Sequence, residues 1–264
     1  MGKSGIFIAL TMGAIQGIFE WLPVSSHLVI NYAASLFGDS FLNHHTGYGF
    51  WLHLGTMFSI LVVFRKNLIR SLKKIVISKD VITVNFFKLI GFATSISLFI
   101  GALFFFLVGM KIIDLLGILV MASIGFLLLS ESVVKNRNFR KISDFNLADS
   151  FLVGVFQGLS VIPGVSRSGV VISILVKSKL NIHNSFLLNC YLNIPLSLAS
   201  SIYIIISDRT IISYYSIVSL FSSFVVGVVF LVAILKIFKK FEERKLQLLT
   251  SLLILCSCSV QVFF

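Results

Sequence analysis

The sequence predicts an all-α integral membrane protein: six transmembrane helices plus two re-entrant helical hairpins, arranged as an inverted-topology repeat. Three observations lead there. Hydrophobic residues make up 57% of the 264-residue chain, 27 of them Phe, which leaves too little polar surface to coat a globule in water. Apolar runs of roughly 17–25 residues recur along the whole length, with no polar segment of domain size between them. An unusual phrase also occurs twice, 141 positions apart: Gly13-x-x-Gln16-Gly17 running to Val24-Ser25, and Gly154-x-x-Gln157-Gly158 running to Val165-Ser166. Proline interrupts both copies, at Pro23 and Pro163. The chain reads as one membrane domain, 1–264, with repeat halves at 1–134 and 146–264.

Charge sets the sidedness of each element. Three basic clusters, Arg65–Lys88, Lys135–Lys141 and Lys236–Lys245, belong in the cytoplasm by the positive-inside rule, so an even number of crossings separates neighbouring clusters. In chain order, Ser4–Phe37 reads as a hairpin dipping from the outside, because the span Gly49–Phe64 that follows must end inside at Arg65. His44 and His45, before that span, read as a solvated outer loop rather than metal ligands. Phe86–Val108 and Ile112–Val134 satisfy the first parity condition. Ser185–Ile206 and Ser213–Leu235 satisfy the second, which obliges Ala148–Lys179 to enter from the cytoplasm and return there. Its about 32 residues, with Pro163-Gly164 at the middle, make two half-helices too short to cross a ~30 Å hydrocarbon core at ~1.5 Å per residue. Leu246–Phe264 is the last span. Three spans per half, an odd number, invert the second copy relative to the first, so the two hairpin tips meet near the bilayer centre. Irregular backbone at that depth must be buried by protein or line a wet cavity.

Composition also excludes some functions. The net charge of +12 sits in short loops between apolar runs, the pattern of a membrane protein rather than a nucleic-acid binder. Cys190, Cys256 and Cys258 lie in apolar runs and read as small hydrophobes, not as disulfide or metal partners. The N-terminal run contains Glu20 and Pro23 and no small-x-small cleavage site, so it is expected to remain in the mature protein.

Each tip brings the start of a half-helix, with free backbone N–H groups and the positive dipole end, to the middle of the protein. Such an end suits phosphate, although the dipole alone contributes only roughly 0.3–2 kcal/mol. The side chains decide more: Ser25, Ser26 and His27 at the first tip, Ser166, Arg167 and Ser168 at the second. An Arg in membrane sequence costs about 2.5–3.5 kcal/mol, so Arg167 needs either an ion pair, for which Glu20 is the candidate, or a phosphate to grip with its fork. Glu20, one helical turn after Gln16, can orient a nucleophile, take a proton or hold a divalent cation. His27 suits a general base, a nucleophile or a helix cap. His53 either lines the cavity or packs, Gln157 either braces the second tip or packs, and Glu131 is expected to reach the membrane interface.

At these residues the sequence resembles the bacitracin-resistance-type undecaprenyl pyrophosphate phosphatases. One family signature is matched by Gln16, Glu20 and Leu22-Pro23-Val24-Ser25-Ser26; the other, Pro-Gly-x-Ser-Arg-Ser-Gly, stands as Pro163 to Gly169. The resemblance covers essentially the whole chain. It implies removal of the terminal phosphate from a polyprenyl pyrophosphate at the outer face of the cytoplasmic membrane, with catalytic roles for Glu20, Ser26, His27 and Arg167. Gln16, Ser25, Ser166, Ser168, Gly164 and Gln157 would then bind substrate, and Glu20 would hold a divalent cation, Mg or Ca. A homodimer is left open. Two features depart from the family pattern. His27 follows Ser26 directly, where relatives have Thr-Gly between, and Val171 replaces a hydroxyl residue, removing one phosphate hydrogen bond. The rival expectation is a secondary transporter or flippase for an anion or lipid phosphate, because broken helices in inverted repeats also build carriers.

Overall fold

The computed structural model describes residues 2–37, 47–107, 111–134, 138–208 and 211–263. The expected outer loop with His44 and His45, the basic residues Lys135 and Arg137, and Arg209 lie outside them. Among the described residues every regular element is a helix, joined by a single isolated β-bridge between Arg140 and Leu180.

Helix α1 (Gly2–Phe19) ends in one loose turn, in which Glu20 N–H bonds the Gln16 carbonyl at 3.0 Å and Leu22 N–H the Phe19 carbonyl at 3.2 Å. Pro23 then removes a donor, and extended Ser25 starts α2 (Ser26–Leu36). Helix α3 (Tyr48–Val63) is followed at once by α4 (Arg65–Val76), bent from it by 75°. Asp80 caps α5 (Val81–Phe105) by accepting from Thr83 N–H at 3.1 Å, and α6 (Lys111–Val133) completes the first half. A reciprocal cap of Asn146 and Asp149 starts α7 (Leu147–Gly158), the geometry that satisfies two orphan N–H groups. A short 3-10 turn, Pro163 and left-handed Gly164 (φ +86°) separate α7 from α8 (Arg167–Lys177). Then come α9 (Ile182–Ser207), α10 (Tyr214–Lys240) and α11 (Glu243–Phe263).

Among the described residues four helices are long and apolar enough to cross a bilayer: α5, α6 over Leu115–Val133, α9 and α10. The bent pair α3–α4 makes a fifth if counted as one unit, whereas α1 and α7 are apolar but short. The chain is thus a multi-pass membrane protein.

The duplicated glycines explain how the halves interlock. Helix α1 lies along α10, and α7 lies along α5. A Cβ on Gly13 would strike the Ser219 carbonyl, and one on Gly17 would stand 2.8 Å from Gly227 N; both are on α10. At the matching positions of the second copy, a Cβ on Gly154 would stand 2.8 Å from the Ala93 carbonyl, and one on Gly158 2.6 Å from Ile100 Cβ, both on α5. Small residues spaced by four let helices approach closely where lipid supplies no hydrophobic drive. Hydroxyls add interhelical bonds: Ser222 Oγ donates to the Leu10 carbonyl at 2.7 Å and Ser223 Oγ to the Leu52 carbonyl at 3.1 Å.

The largest core unites both tips. Trp21 and Ile162 share one buried cluster with Met121, Leu128, Phe186 and Leu231. Glu131 differs from its expected place at the interface: it is buried, with Oε1 3.0 Å from Nζ of Lys177, the last residue of α8, which packs against α6. The cysteines are free, with Cys256 exposed and Cys258 buried on different faces of α11.

Candidate active site

The two tips are joined by an ion pair. Arg167, the first residue of α8, directs Nη2 onto Glu20 Oε1. A second cross-tip bond runs from Ser168 Oγ to the Leu22 carbonyl at 2.7 Å. Glu20 is buried, and each of its oxygens is surrounded by donors. Asn193 Nδ2 donates to Oε1 at 2.9 Å, Gln16 Nε2 donates to Oε2 at 2.8 Å, and His53 Nδ1 stands 3.0 Å from Oε2. A buried carboxylate is tolerated only when so satisfied.

The chain continues from carboxylate to imidazole to imidazole. His53 Nδ1 also lies 2.9 Å from Gln16 Nε2, so that nitrogen either accepts from the amide or donates to Glu20. On the far side of the ring, His53 Nε2 is 3.2 Å from His27 Nε2. His27 sits edge-on to Phe50 and is admitted by Gly49, where any Cβ would collide with its ring. Asn193 is itself held: Ser197 Oγ donates to its Oδ1, leaving the amide nitrogen for Glu20.

The second tip is fastened from outside the hairpin. Gln261 Nε2, on α11, donates to the Gly164 carbonyl at 2.9 Å, and Ser166 N–H meets Met121 Sδ, on α6, at 3.2 Å. Ser166 Oγ accepts from Gly169 N–H at 3.3 Å, capping α8, and lies 3.2 Å from Ser168 Oγ. At the first tip Ser25 occupies the equivalent cap position without making the side-chain bond.

Between the tips lies a cavity of about 400 Å³. Its polar end holds Glu20, Ser25, Ser26, His27, His53, Ser166, Arg167 and Ser168. Its apolar end runs between α5 and α9, with Leu98, Phe105, Phe106, Leu196 and Tyr203 on the walls. Phe106 is 83% exposed, so the apolar end reaches the protein's lipid-facing surface.

Of the ten residues expected to act in catalysis or substrate binding, eight line this cavity, Gln157 among them, while Gln16 stands behind Glu20 and Gly164 forms the second turn. Neither amide atom of Gln157 has a hydrogen-bond partner among the described residues, whereas Gln16 uses its Nε2 on Glu20. Asn193 is the addition, and His53, expected either to line the cavity or to pack, lines it. Neither belongs to a repeated motif; their signal was only a polar side chain in the middle of an apolar helix, the kind that faces a functional interior.

An arginine, a carboxylate and paired serines facing a cavity with an apolar exit define a membrane protein built to handle a lipid-borne phosphate. Residues 9–250 match the family described as bacitracin resistance protein BacA, and the chain belongs to that family. It is 28% identical to an undecaprenyl-diphosphatase of Methanococcoides burtonii, an alignment covering 89% of this chain and 91% of that one. It is 31% identical to undecaprenyl-diphosphatase 2 of Halalkalibacterium halodurans, covering 88% of each. An undecaprenyl-diphosphatase of Saccharolobus islandicus is 30% identical over 74% of this chain and 72% of its own.

Proposed function

We propose that this chain hydrolyses undecaprenyl pyrophosphate to the monophosphate and inorganic phosphate, returning the lipid carrier to cell-wall glycan synthesis and thereby conferring bacitracin resistance. The observation that carries this reading is the Arg167–Glu20 pair facing Ser26 and His27 across one cavity.

In the mechanism we infer, the diphosphate enters between the tips and the Arg167 fork turns from Glu20 to the phosphate oxygens, where charge grows in the transition state. Ser26 Oγ attacks the terminal phosphorus and gives its proton to His27 as the bond to the bridging oxygen breaks. Prenyl monophosphate leaves. Water then attacks the phosphoserine, the serine proton returns, and inorganic phosphate departs. Glu20, through His53, orients His27 and offsets the charge it gains. Glu20 is the one carboxylate on the cavity wall among the described residues, so with Arg167 turned to the diphosphate its Oε1 would hold a divalent cation, Mg or Ca, beside the phosphate oxygens, and such an ion would supply charge neutralisation at the leaving group. The prenyl chain lies along Phe105, Phe106 and Tyr203, between α5 and α9.

The topology we infer has six spans, α3, α5, α6, α9, α10 and α11, and two re-entrant hairpins, α1–α2 and α7–α8, in oppositely oriented halves 1–134 and 146–264. Its support is the exchanged packing of α1 on α10 and of α7 on α5. The mouth faces outward across the cytoplasmic membrane, because the cavity is walled by the ends of α5 and α9 remote from the basic clusters. All residues in this mechanism come from one chain, so a homodimer is not required. A carrier would need a second opening toward the basic side, where Trp21, Phe64, Phe186 and Leu231 pack together.

Phosphate release from a polyprenyl pyrophosphate by the purified protein in detergent tests the reading. Arg167→Ala is expected to abolish release; near-normal turnover would refute the clamp, and no release from the unaltered protein would favour the carrier.

A further inference from the structure

A second hollow shares no lining residue with the cavity between the tips. It measures about 380 Å³ and sits between the α3–α4 junction and α10. Its wall is aliphatic, with Val62 on α3 and Val228 and Val232 on α10, while Arg65, Lys66 and Asn67 form its rim. Neither Arg65 nor Lys66 pairs with a carboxylate among the described residues.

The helix that begins at this rim has two contrasting sides. At 100° per residue, Leu68, Leu72, Ile75 and Val76 fall on one face of α4, with Arg65 at the head of that face, whereas Lys66, Arg70, Lys73 and Lys74 fall on the opposite one. No residue of α4 is buried by the rest of the protein, and Val76 is 72% exposed. The 75° bend turns this helix across the axis of α3. A strongly two-faced basic helix, turned across a span, lies in a membrane interface.

We propose that the hollow and α4 together form a docking site for an anionic phospholipid of the leaflet that borders the basic clusters. An acyl chain packs against Val62, Val228 and Val232. The headgroup phosphate is gripped by the Arg65 fork and Lys66, with Asn67 as a neutral donor. A zwitterionic lipid would leave the surplus of positive charge uncompensated, and an acidic soluble protein would leave the valine wall unused; only an anionic lipid matches both parts.

Native mass spectrometry of the full-length protein, titrated with phosphatidylglycerol or phosphatidylcholine, tests this without any turnover. Phosphatidylglycerol is expected to bind about tenfold more tightly, and the R65Q/K66Q protein to lose about that factor. The K239Q/K240Q protein, with the same charge removed from the exposed end of α10, is expected to bind normally. Val228→Trp, which fills the hollow and changes no charge, is expected to weaken binding. Equal retention of the two lipids by the unaltered protein, an equal loss in K239Q/K240Q, or displacement of the lipid by inorganic phosphate would each overturn the proposal. Because binding is read directly, these outcomes leave the phosphatase reading untouched, and loss of hydrolysis would leave this one untouched.

Discussion

The two hairpins carry the same repeated phrase, yet they are built to different tolerances. In the second, α8 is buried from Ser168 to Val176, and the turn before it is held by Gln261 and Met121. Its base is fastened too. Arg140 donates to both oxygens of Asp149, at 3.0 and 2.7 Å, to the Ser178 carbonyl at 3.2 Å, and to the Asp144 carbonyl. In the first hairpin, α2 buries only Ser26, Ile30 and Ala34, its cap lacks the side-chain bond, and Tyr32 and Leu36 are exposed. The fixed arm carries Arg167; the looser arm carries Ser26 and His27. Two broken helices with one repeated phrase thus have different surroundings, and in the proposed mechanism that difference divides the labour between positioning and chemistry.

The strongest way to break this comparison uses matched positions. Gly164 and Pro23 occupy equivalent places in the two copies. Gly164→Ala puts a side chain at φ +86° and against the Gln261 amide. A non-glycine residue in that region costs about 1–3 kcal/mol before any clash is counted, and it displaces the turn that aims Arg167. Loss of phosphate release by about 100-fold, with a lower melting temperature, is expected. Pro23→Ala, in the looser arm, is expected to cost about tenfold or less, because the backbone there has room to adjust. If the proline variant proved the more damaging, the assignment of fixed and loose arms would be reversed.

A smaller effect separates orientation from chemistry within the looser arm. His53 contacts Glu20 on one side and His27 on the other, so it acts on the reaction through its neighbour. His53→Ala is expected to lower kcat by about 10–100-fold with KM close to normal, the range for losing a partner that orients a functional residue. His53→Gln, which keeps a hydrogen-bonding group at that depth, is expected to recover most of the rate. A change confined to KM would place His53 in substrate binding instead.

The contrast between the hairpins was only half legible in the sequence. Gln16, Glu20, the Ser pairs and Arg167 announced themselves because each stands beside a proline break in a repeated phrase. Composition and basic clusters were enough to read a multi-pass helical membrane protein. Gly13, Gly17, Gly154 and Gly158 were visible as a duplication, but their work as close-packing surfaces depends on which helix lies opposite, and periodicity does not name partners. Asn193 was hidden, and His53 was legible only as a residue that lines the cavity or packs, for the same reason: tertiary packing, not spacing, carries them to Glu20. Helix α4 merged into a basic loop when residues were counted by charge, since its apolar face shows only when positions are placed at 100° intervals. Glu131 was expected at the interface from its position near a span end, and the proximity of Lys177 could not be read from either element alone.

The least disruptive test loosens the base of the fixed hairpin without touching its tip. Arg140 is held protonated above its ordinary range, first by its hydrogen bond to Asp149 and then by nearby carboxylates. Asp144 is held below the usual aspartate range, chiefly by the Lys141 backbone N–H. A carboxyl lowered in the folded state stabilises it above the unfolded pKa, and that support is lost as pH falls through the folded value. Acidification below about pH 4 is therefore expected to loosen 138–146 first. At neutral pH, Arg140→Gln removes the guanidinium bonds to Asp149 and to the Ser178 and Asp144 carbonyls and leaves Asp149 partly unpaired, a change worth about 1–3 kcal/mol. Amide exchange in α8 should then rise toward the rate of α2, while phosphate release falls only a few-fold, roughly in line with the smaller population of closed hairpin. Were α8 to stay protected in Arg140→Gln, the fixing of the second arm would lie wholly in its contacts with α6, α9 and α11, and the guanidinium at its base would be a loop staple with no hold on the site.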